Sequence, residues 1–212
     1  KMDMAAGIVA ALAEQGDASA QLSLAKLYRQ GEGVPKDINA AAKWCRLAAD
    51  QGLAKAQHNL GVMYDEGDGV EQDHGEAAKW FQMAADQDFR PSLHNLGDMY
   101  LRGLGVVEDP AKAMELFRRA ADQGASRSQF CLGSMYDEGR GVEQDATEAA
   151  RWYSKAAEQG YAEAQVNLGL MYQEGRGVAQ DHDVAARLFR AAAEQGNPLA
   201  QIHLGIMSSR RK

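Results

Sequence analysis

The sequence predicts an all-α protein, a solenoid of antiparallel helix pairs in which each repeat is 36 residues long. Three observations lead to this prediction. A short phrase and a pattern of paired glycines both return every 36 residues, and the composition is rich in alanine and glycine but holds only four prolines. Alanine favours helices and glycine breaks them, so many short helices separated by glycine turns are expected.

The repeat is defined by the phrase Leu-Gly-x-Met-Tyr, which occurs in intact or weakened form along the whole chain. Its first residues are Leu24, Leu60, Leu96, Leu132, Leu168 and Leu204. The same interval, or twice that interval where Asp88 fills the column, separates a second column of residues, the glycines Gly16, Gly52, Gly124, Gly160 and Gly196. No insertion or deletion interrupts the register, so these columns are internal copies of one structural unit.

Each repeat is predicted to fold as two helices, called helix A and helix B. In the second repeat, helix A covers about residues 54–66 and ends at Gly67, because glycine readily adopts the positive φ that turns the chain. Helix B covers about residues 74–87, and Asp73 is placed to cap its first free N–H groups. A glycine such as Gly52 is predicted to form the left-handed cap that follows helix B.

One hairpin cannot bury its own apolar face, so neighbouring hairpins must stack to form the core. We therefore predict a single solenoid over residues 1–212, with a half repeat at each end. The half repeats cover residues 2–16 and 197–208. The full repeats, numbered one to five, cover residues 17–52, 53–88, 89–124, 125–160 and 161–196.

Columns that stay constant between repeats are predicted to be core. They include the leucine, methionine and tyrosine of helix A, and in helix B the alanine pairs and large aromatic residues such as Trp80 and Phe81. Helix A also carries an internal glycine, which costs roughly 1 kcal/mol of helix propensity relative to alanine. This glycine column is Gly61, Gly97, Gly133, Gly169 and Gly205. We infer that a neighbouring helix passes too close there for a side chain.

Other helix A columns change chemical character from repeat to repeat, and these are predicted to bind a partner. Their spacing of three, four and three residues aligns them on one face of the helix. In solenoids of helical hairpins, the A helices usually line the concave groove. An ordinary solvated face is the alternative interpretation. The predicted binding residues are Lys55, His58, Val62, Asp65, Arg90, His94, Asp98, Leu101, Arg127, Phe130, Ser134 and Asp137.

Repeat three departs most from the other repeats. Leu93 stands where the others have glutamine, and Leu101, Leu104 and Val107 stand where the others are mostly polar. An exposed apolar patch of this kind can anchor a protein partner. The alternative is that repeat three only packs differently.

Charge and composition exclude several classes of partner and location. The formal net charge of −7 argues against a nucleic-acid partner, because phosphate binding needs a basic face. No run of about 18 apolar residues is present, so no membrane-spanning helix is expected. Cys45 and Cys131 occupy unrelated positions in the repeat, so a disulfide between them is not expected. The compartment is left open between the cytoplasm and, if an export signal has been removed, the periplasm or the outside of the cell.

No catalytic, cofactor or metal site is predicted. His58 and His94 share a column, but no cysteine or carboxylate completes a tetrahedral metal site at a recognised spacing. The Gly-x-Gly-Val turns follow a helix and lack the lysine of a phosphate-binding loop. The carboxylates that recur at the end of helix A are interpreted as solvated surface. The sequence therefore predicts a protein that is not an enzyme.

The recurring phrases Leu-Gly-x-Met-Tyr, Gly-x-Gly-Val, Ala-Ala-Lys-Trp-Phe and Ala-Ala-Asp-Gln-Gly closely resemble the Sel-one-like repeat family, a relative of the tetratricopeptide repeat. The resemblance covers almost the whole chain. It implies right-handed superhelical stacks of antiparallel hairpins that act as adaptors in signalling, in quality control and, in bacteria, in envelope assembly or host contact. Some cysteine-rich bacterial members carry a disulfide in each repeat, and this sequence lacks that paired-cysteine pattern.

The function that these observations favour is a non-catalytic protein–protein interaction scaffold, which binds a peptide or a protein along the concave A-helix surface. Two alternatives stay open. One is an envelope-associated protein that binds or hydrolyses cell-wall fragments, and it rests on fold analogy alone. The other is a structural spacer or oligomerisation module, because the unpaired apolar faces of the terminal half repeats can stack end to end on another copy.

Overall fold

Helices make up the regular structure of the chain, as the repeat pattern predicts. The computed structural model describes residues 3–210, with the side chains of residues 3–208. Within this range the structure has helices and no strand, which confirms the predicted all-α class. The helices are α1 (Met4–Glu14), α2 (Ala18–Gln30), α3 (Ile38–Asp50), α4 (Ala54–Glu66), α5 (His74–Ala85), α6 (Arg90–Arg102), α7 (Pro110–Asp122), α8 (Ser126–Glu138), α9 (Ala146–Glu158), α10 (Ala162–Glu174), α11 (His182–Glu194) and α12 (Pro198–Arg210). Residues 1, 2, 211 and 212, which belong to the predicted solenoid 1–212 and in part to its half repeat 2–16, lie outside the described residues.

The helices form two compact units, one containing α1–α6 up to Asp109 and one containing α7–α12 from Pro110 onward. In the first unit α2 packs against α3, and α4 packs against α5. In the second unit α8 packs against α9, and α10 packs against α11. Each unit is thus a stack of helical hairpins with its core between neighbouring helices. A single solenoid over the whole chain stays a prediction.

The helix ends lie where the aspartate and glycine columns predict them. α5 begins after Asp73, whose Oδ1 accepts a hydrogen bond of 3.0 Å from the backbone N–H of Glu76. α4 ends at Gly67, which has a φ of 72°. Gly52, which follows α3, has a φ of 87°. These caps satisfy backbone groups that a helix end leaves without a partner, and they confirm the predicted signals. In repeat two the end of α5, at Ala85, comes earlier than predicted.

An aromatic ring of helix B fills the space beside the internal glycine of helix A. A Cβ atom on Gly61 would lie 2.7 Å from the ring of Phe81. The same contact, at 2.6 and 2.8 Å, is made by the pairs Gly133–Tyr153 and Gly169–Phe189. The expectation that a neighbouring helix itself passes too close is therefore corrected. The obstacle to a side chain is a ring from the paired helix, and the glycine makes room for it.

A ladder of glutamines, which the sequence analysis did not predict, joins successive repeats. Nε2 of buried Gln57 donates to the carbonyl of Ala49 at 3.3 Å. Its Oε1 accepts from Nε2 of Gln87 at 2.8 Å, and that group also donates to the carbonyl of Gly52 at 3.0 Å. The same glutamine pairing is made by Gln21 with Gln51, Gln129 with Gln159, and Gln165 with Gln195. A buried amide without such partners would be costly, so the bonds that reach the preceding repeat favour one alignment of neighbouring hairpins wherever the glutamine is present.

Replacing Gly61 by alanine is expected to lower the free energy of unfolding by about 1–3 kcal/mol, because the added methyl group overlaps the ring of Phe81. Urea unfolding followed by circular dichroism measures the effect. Gly205→Ala is the matched control from the same column. Nothing in the described residues lies within 4 Å of its Cβ position, so this change is expected to stabilise α12 by up to about 1 kcal/mol. Equal effects of the two substitutions would contradict the ring packing.

Candidate functional site

The A helices have one buried face and one partly exposed face. In α4, Ala56, Leu60 and Met63 are at most 3% exposed, whereas Lys55 is exposed and Val62 is partly exposed. All the predicted binding residues lie at the surface to some degree. Those that are exposed are Lys55, Arg90 and Arg127. Those that are partly exposed are His58, Val62, Asp65, His94, Asp98, Leu101, Phe130, Ser134 and Asp137. Their contact with a partner stays a prediction.

The aspartates of this face contact arginine or histidine side chains. Asp65 lies 2.8 Å from Nδ1 of His74, and Asp98 lies 3.0 Å from Nη1 of Arg102. Asp137 of α8 pairs with Arg176, which follows α10 in the next repeat. Exposed pairs of this kind contribute little stability, typically about 0.2–1 kcal/mol. Their effect is to hold the carboxylates in place, so the interpretation as simple solvated surface is incomplete.

One of the predicted binding columns also contributes to packing. The ring of His58 lies between two aromatic rings, with its centroid 5.5 Å from that of Phe81 and 5.4 Å from that of Phe89. Its Nδ1 is 2.9 Å from Oγ of Ser92, which is fully buried. Burial lowers the pKa of His58 below its ordinary value of 6.5, so the neutral ring is favoured at neutral pH.

The same column packs in the second unit as well. The ring centroid of Phe130 lies 5.6 Å from that of Tyr153 and 5.3 Å from that of Tyr161. Val166, one repeat later, is only 3% exposed. This column therefore offers a partner only the outer edge of each side chain, and the neighbouring columns offer more.

The contact between His58 and Ser92 has a signal in the sequence that was not used above. Residues 34 positions apart change together from repeat to repeat. His58 is followed 34 residues later by Ser92, and His94 is followed by Ser128 at the same interval. The apolar members of the column are instead followed by alanine at that interval, in the pairs Leu22–Ala56, Phe130–Ala164 and Val166–Ala200. A hydroxyl group thus accompanies a ring nitrogen that needs a hydrogen bond, and a methyl group accompanies an apolar side chain.

The apolar patch predicted in repeat three is smaller than expected. Leu93 is fully buried and occupies the glutamine position of the ladder, so it belongs to the core. Leu101 and Leu104 are partly exposed, and Val107 is 87% exposed. The correction follows from the column, because a residue that replaces a buried glutamine is buried too.

A cleft that the sequence analysis did not predict lies in the first unit. It has a volume of about 190 Å³ and lies between α2 and α4, with buried residues of α3 at its base. Lys26 and Arg29 of α2 and Lys55 of α4 contribute cationic groups to its lining. Cys45 and Met63 contribute apolar surface. The cleft therefore combines an apolar interior with a basic rim.

Two of the groups that line this cleft already have partners. Nε of Arg29 lies 3.0 Å from Oδ2 of Asp68, and its guanidinium also lies 3.7 Å from Glu66. The thiol of Cys45 donates to the carbonyl of Ala56 at 3.4 Å. Burial raises the pKa of Cys45 to about 12, so the thiol stays protonated and is a poor nucleophile.

Cys45 and Cys131 are both thiols in the structure. Between residues 3 and 210, no helix has the length and the apolar character needed to cross a membrane.

The sequence model of the Sel1 repeat family matches residues 18–53, 54–89, 90–124, 126–161 and 162–197. Each matched segment begins one residue after the corresponding full repeat predicted from the sequence. Sel1 repeats generally serve as protein-interaction scaffolds, and the solenoid fold is typically non-catalytic. No curated protein matches the chain.

Solved structures of bacterial proteins share this architecture. A protective antigen of uropathogenic Escherichia coli, described as displaying an SLR fold, is 45% identical with a TM-score of 0.90. The match covers 92% of this chain but only 42% of the antigen. A Sel1 repeat protein from Oxalobacter formigenes is 36% identical with a TM-score of 0.84, over 90% of this chain and 76% of that one. An immunity protein from Pseudomonas aeruginosa, 21% identical with a TM-score of 0.55 over 92% of this chain and 75% of its own, shares the fold alone.

Stability is expected to fall as the pH drops below 6.5, because protonation of His58 is disfavoured in the folded state and unhindered in the unfolded state. The stability that depends on the neutral ring is present above the ordinary pKa and is lost as the pH falls through the lowered pKa. The double variant His58→Leu/Ser92→Ala, which copies Leu22 and Ala56 of the first repeats, should lose less stability over this interval. Urea midpoints at a series of pH values measure the difference.

The exposed His182 of α11 provides the control for this experiment. His182→Ala removes a histidine that lies outside the packing around His58, so a reduced pH dependence in this variant as well would argue against His58 as its source. If the double variant and the parent lost stability in parallel, His58 would not be the titrating group.

Proposed function

Because the chain belongs to the Sel1 repeat family, we propose that it is a non-catalytic scaffold that binds a protein or a peptide along the exposed face of its A helices. The observation that carries the proposal is the contrast between two neighbouring columns. In repeats one to five the buried column is always leucine. The column two residues later is exposed or partly exposed and reads Lys26, Val62, Asp98, Ser134 and Leu170. Packing in the core requires leucine in the first column. It places no such requirement on the second column, whose residues can therefore differ according to the protein that each repeat contacts.

The apolar members of the varying columns favour a protein or peptide over an ordinary solvated face. Val62, Leu101 and Phe130 each keep part of an apolar side chain at the surface. Burying apolar surface away from water stabilises a protein or a complex by about 25 cal/mol per Å². Apolar side chains that stay exposed do not gain this free energy unless a partner covers them. These residues stand among charged ones such as Lys55 and Arg127, and apolar centres with polar rims are typical of protein interfaces.

The proposal assigns no reaction to this face. Asp98 and Asp137 are paired with Arg102 and Arg176, and Asp65 lies 2.8 Å from Nδ1 of His74. Their arrangement supports recognition of charge on a partner.

Reversing the charge of Arg90 and Arg127, by changing each to glutamate, is expected to weaken capture of the partner by about tenfold or more. The physical reason is that like charges brought together across an interface cost several kcal/mol. Affinity purification from a lysate of the source cells, with quantitative mass spectrometry, measures the captured amount. Helical circular dichroism should be unchanged, because both side chains are exposed.

The matched control is the pair Lys43→Glu and Arg187→Glu, which makes the same change in net charge on exposed positions of helix B. This variant should capture the partner as the parent protein does. An equal loss with both pairs would mean that net charge, and not the A-helix face, governs capture.

A second candidate function, end-to-end self-association, is favoured by apolar side chains on the first and last described helices. On α1, Met4 is 86% exposed and Ile8 is 60% exposed. On α12, Leu199 is 59% exposed and Ile202 is 57% exposed. By register α1 is a helix B and α12 is a helix A. The α12 of one copy and the α1 of the next would together complete one hairpin.

Under this second proposal the mass measured by light scattering should rise above 23.0 kDa as the protein concentration is increased. The variant Ile8→Glu/Ile202→Glu should remain at the monomer mass, because it places charge on both apolar faces. The control is Leu47→Glu on α3, a position that is 46% exposed but lies on neither terminal helix. A parent protein that stays monomeric at every concentration would exclude self-association.

A further inference from the structure

Repeat one differs from the other repeats in the contact between ring and glycine. The ring column of helix B reads Phe81, Phe117, Tyr153 and Phe189 in repeats two to five, but repeat one has Cys45 there. The glycine column of helix A reads Gly61, Gly97, Gly133 and Gly169 in the same repeats, but repeat one has Ala25. Repeat one therefore lacks the ring that the others bury at this position, and the added methyl group of Ala25 replaces little of its volume.

The cleft of about 190 Å³ lies where this ring is missing, since both Ala25 and Cys45 line it. Its interior is apolar: Ala41 is 1% exposed, Cys45 is 2% exposed and Met63 is 3% exposed. An apolar cavity of about 150 Å³ in another protein stays dry and binds benzene. The space is therefore large enough for a phenyl ring, and its buried side chains offer that ring apolar contacts.

The rim of the cleft adds a charge preference. Lys26 stands on the α2 side and Lys55 on the α4 side, and both are exposed. In the described part of the chain neither forms an ion pair with a carboxylate, whereas Arg29 is paired with Asp68. No carboxylate contributes to the lining. Two lysines without carboxylate partners in a protein of net charge −7 form a local site for an anionic group.

We propose that this cleft binds an aromatic side chain of a protein partner, at a position where the neighbouring residues of the partner are aspartate or glutamate. The partner's ring takes the place that Phe81, Tyr153 and Phe189 take in their own repeats. The flanking carboxylates meet Lys26 and Lys55. This inference rests on the proposed scaffold function and names the class of segment that the first unit recognises.

The probe is a fluorescein-labelled peptide of sequence Gly-Asp-Phe-Asp-Gly, and fluorescence polarisation measures its binding. The variant Ala25→Gly/Cys45→Phe gives repeat one the ring and glycine of the other repeats, so it fills the cleft without changing the rim. It is expected to bind the peptide about tenfold more weakly or worse, as loss of one buried aromatic contact implies. The peptide with alanine in place of phenylalanine should lose the same factor on the parent protein.

The variant Lys26→Gln/Lys55→Gln tests the rim and retains the fold even if the filled variant does not. It should weaken binding of the aspartate peptide a few-fold, in line with exposed ion pairs. It should leave unchanged the binding of a peptide with asparagine in place of aspartate. Unaltered binding to the filled variant, equal binding of the alanine peptide, or no detectable binding of the probe to the parent would each overturn the proposal.

This outcome is separable from that of the scaffold proposal. Arg90 and Arg127, which test the A-helix face, do not line the cleft. If their reversal abolished capture of the partner while the filled variant bound the peptide normally, the face would stand and the cleft proposal would fail. If the filled variant alone lost the peptide while reversal of Arg90 and Arg127 left capture intact, the cleft would stand without the wider face.

Discussion

The packing of a helix B ring against a helix A glycine is the contact on which the hairpins of repeats two, four and five depend. A pair of short helices has little apolar area, so a large side chain must be buried between them to hold the pair together. Phe81, Tyr153 and Phe189 are at most 1% exposed. The glycine costs roughly 1 kcal/mol of helix propensity, whereas burial of a phenylalanine contributes about 1.5–3 kcal/mol. Burial of the ring therefore stabilises the hairpin by more than the glycine destabilises helix A. This explains why the aromatic column and the glycine column recur together.

Hydrogen bonds between repeats add a directional constraint to this apolar packing. Apolar surfaces tolerate sliding, but an amide such as that of Gln57 has to meet the carbonyl of Ala49 and the amide of Gln87. The positions that packing and the ladder leave over form the varying face of helix A. The cleft of the first unit arises by the same rule, because Cys45 and Ala25 break the ring and glycine pair. The two proposed binding regions, the varying face of helix A and the cleft of the first unit, thus lie where neither the apolar packing nor the glutamine bonds determine the residue.

Much of the fold could be predicted because its signals recur within single columns. The aspartate caps, the glycine breaks and the leucine stripe each appear several times, so the bounds of a helix such as α4 follow from the sequence alone. Features that depend on pairs of residues were missed. The Gln57–Gln87 bond and the contact between His58 and Ser92 join positions about 30 residues apart, and no single column displays them.

The candidate site was predicted less well than the fold for a related reason. Spacing on a helix shows which residues share a face, and those residues do lie at the surface. It does not show how deeply a neighbouring repeat covers them, which is why His58 and Phe130 proved to be partly packed. The cleft had a visible signal, since Cys45 interrupts an aromatic column, but only the three-dimensional structure shows that the space stays unfilled.

The glutamine ladder bears on how such chains change in length. Leu93 interrupts it in repeat three, but in the other four full repeats the buried glutamine donates to the carbonyl of the alanine eight residues before it. A gene segment that encodes one whole repeat can therefore be duplicated or lost while a new junction keeps this bond. Loss of a few residues would instead place the amides opposite the wrong groups.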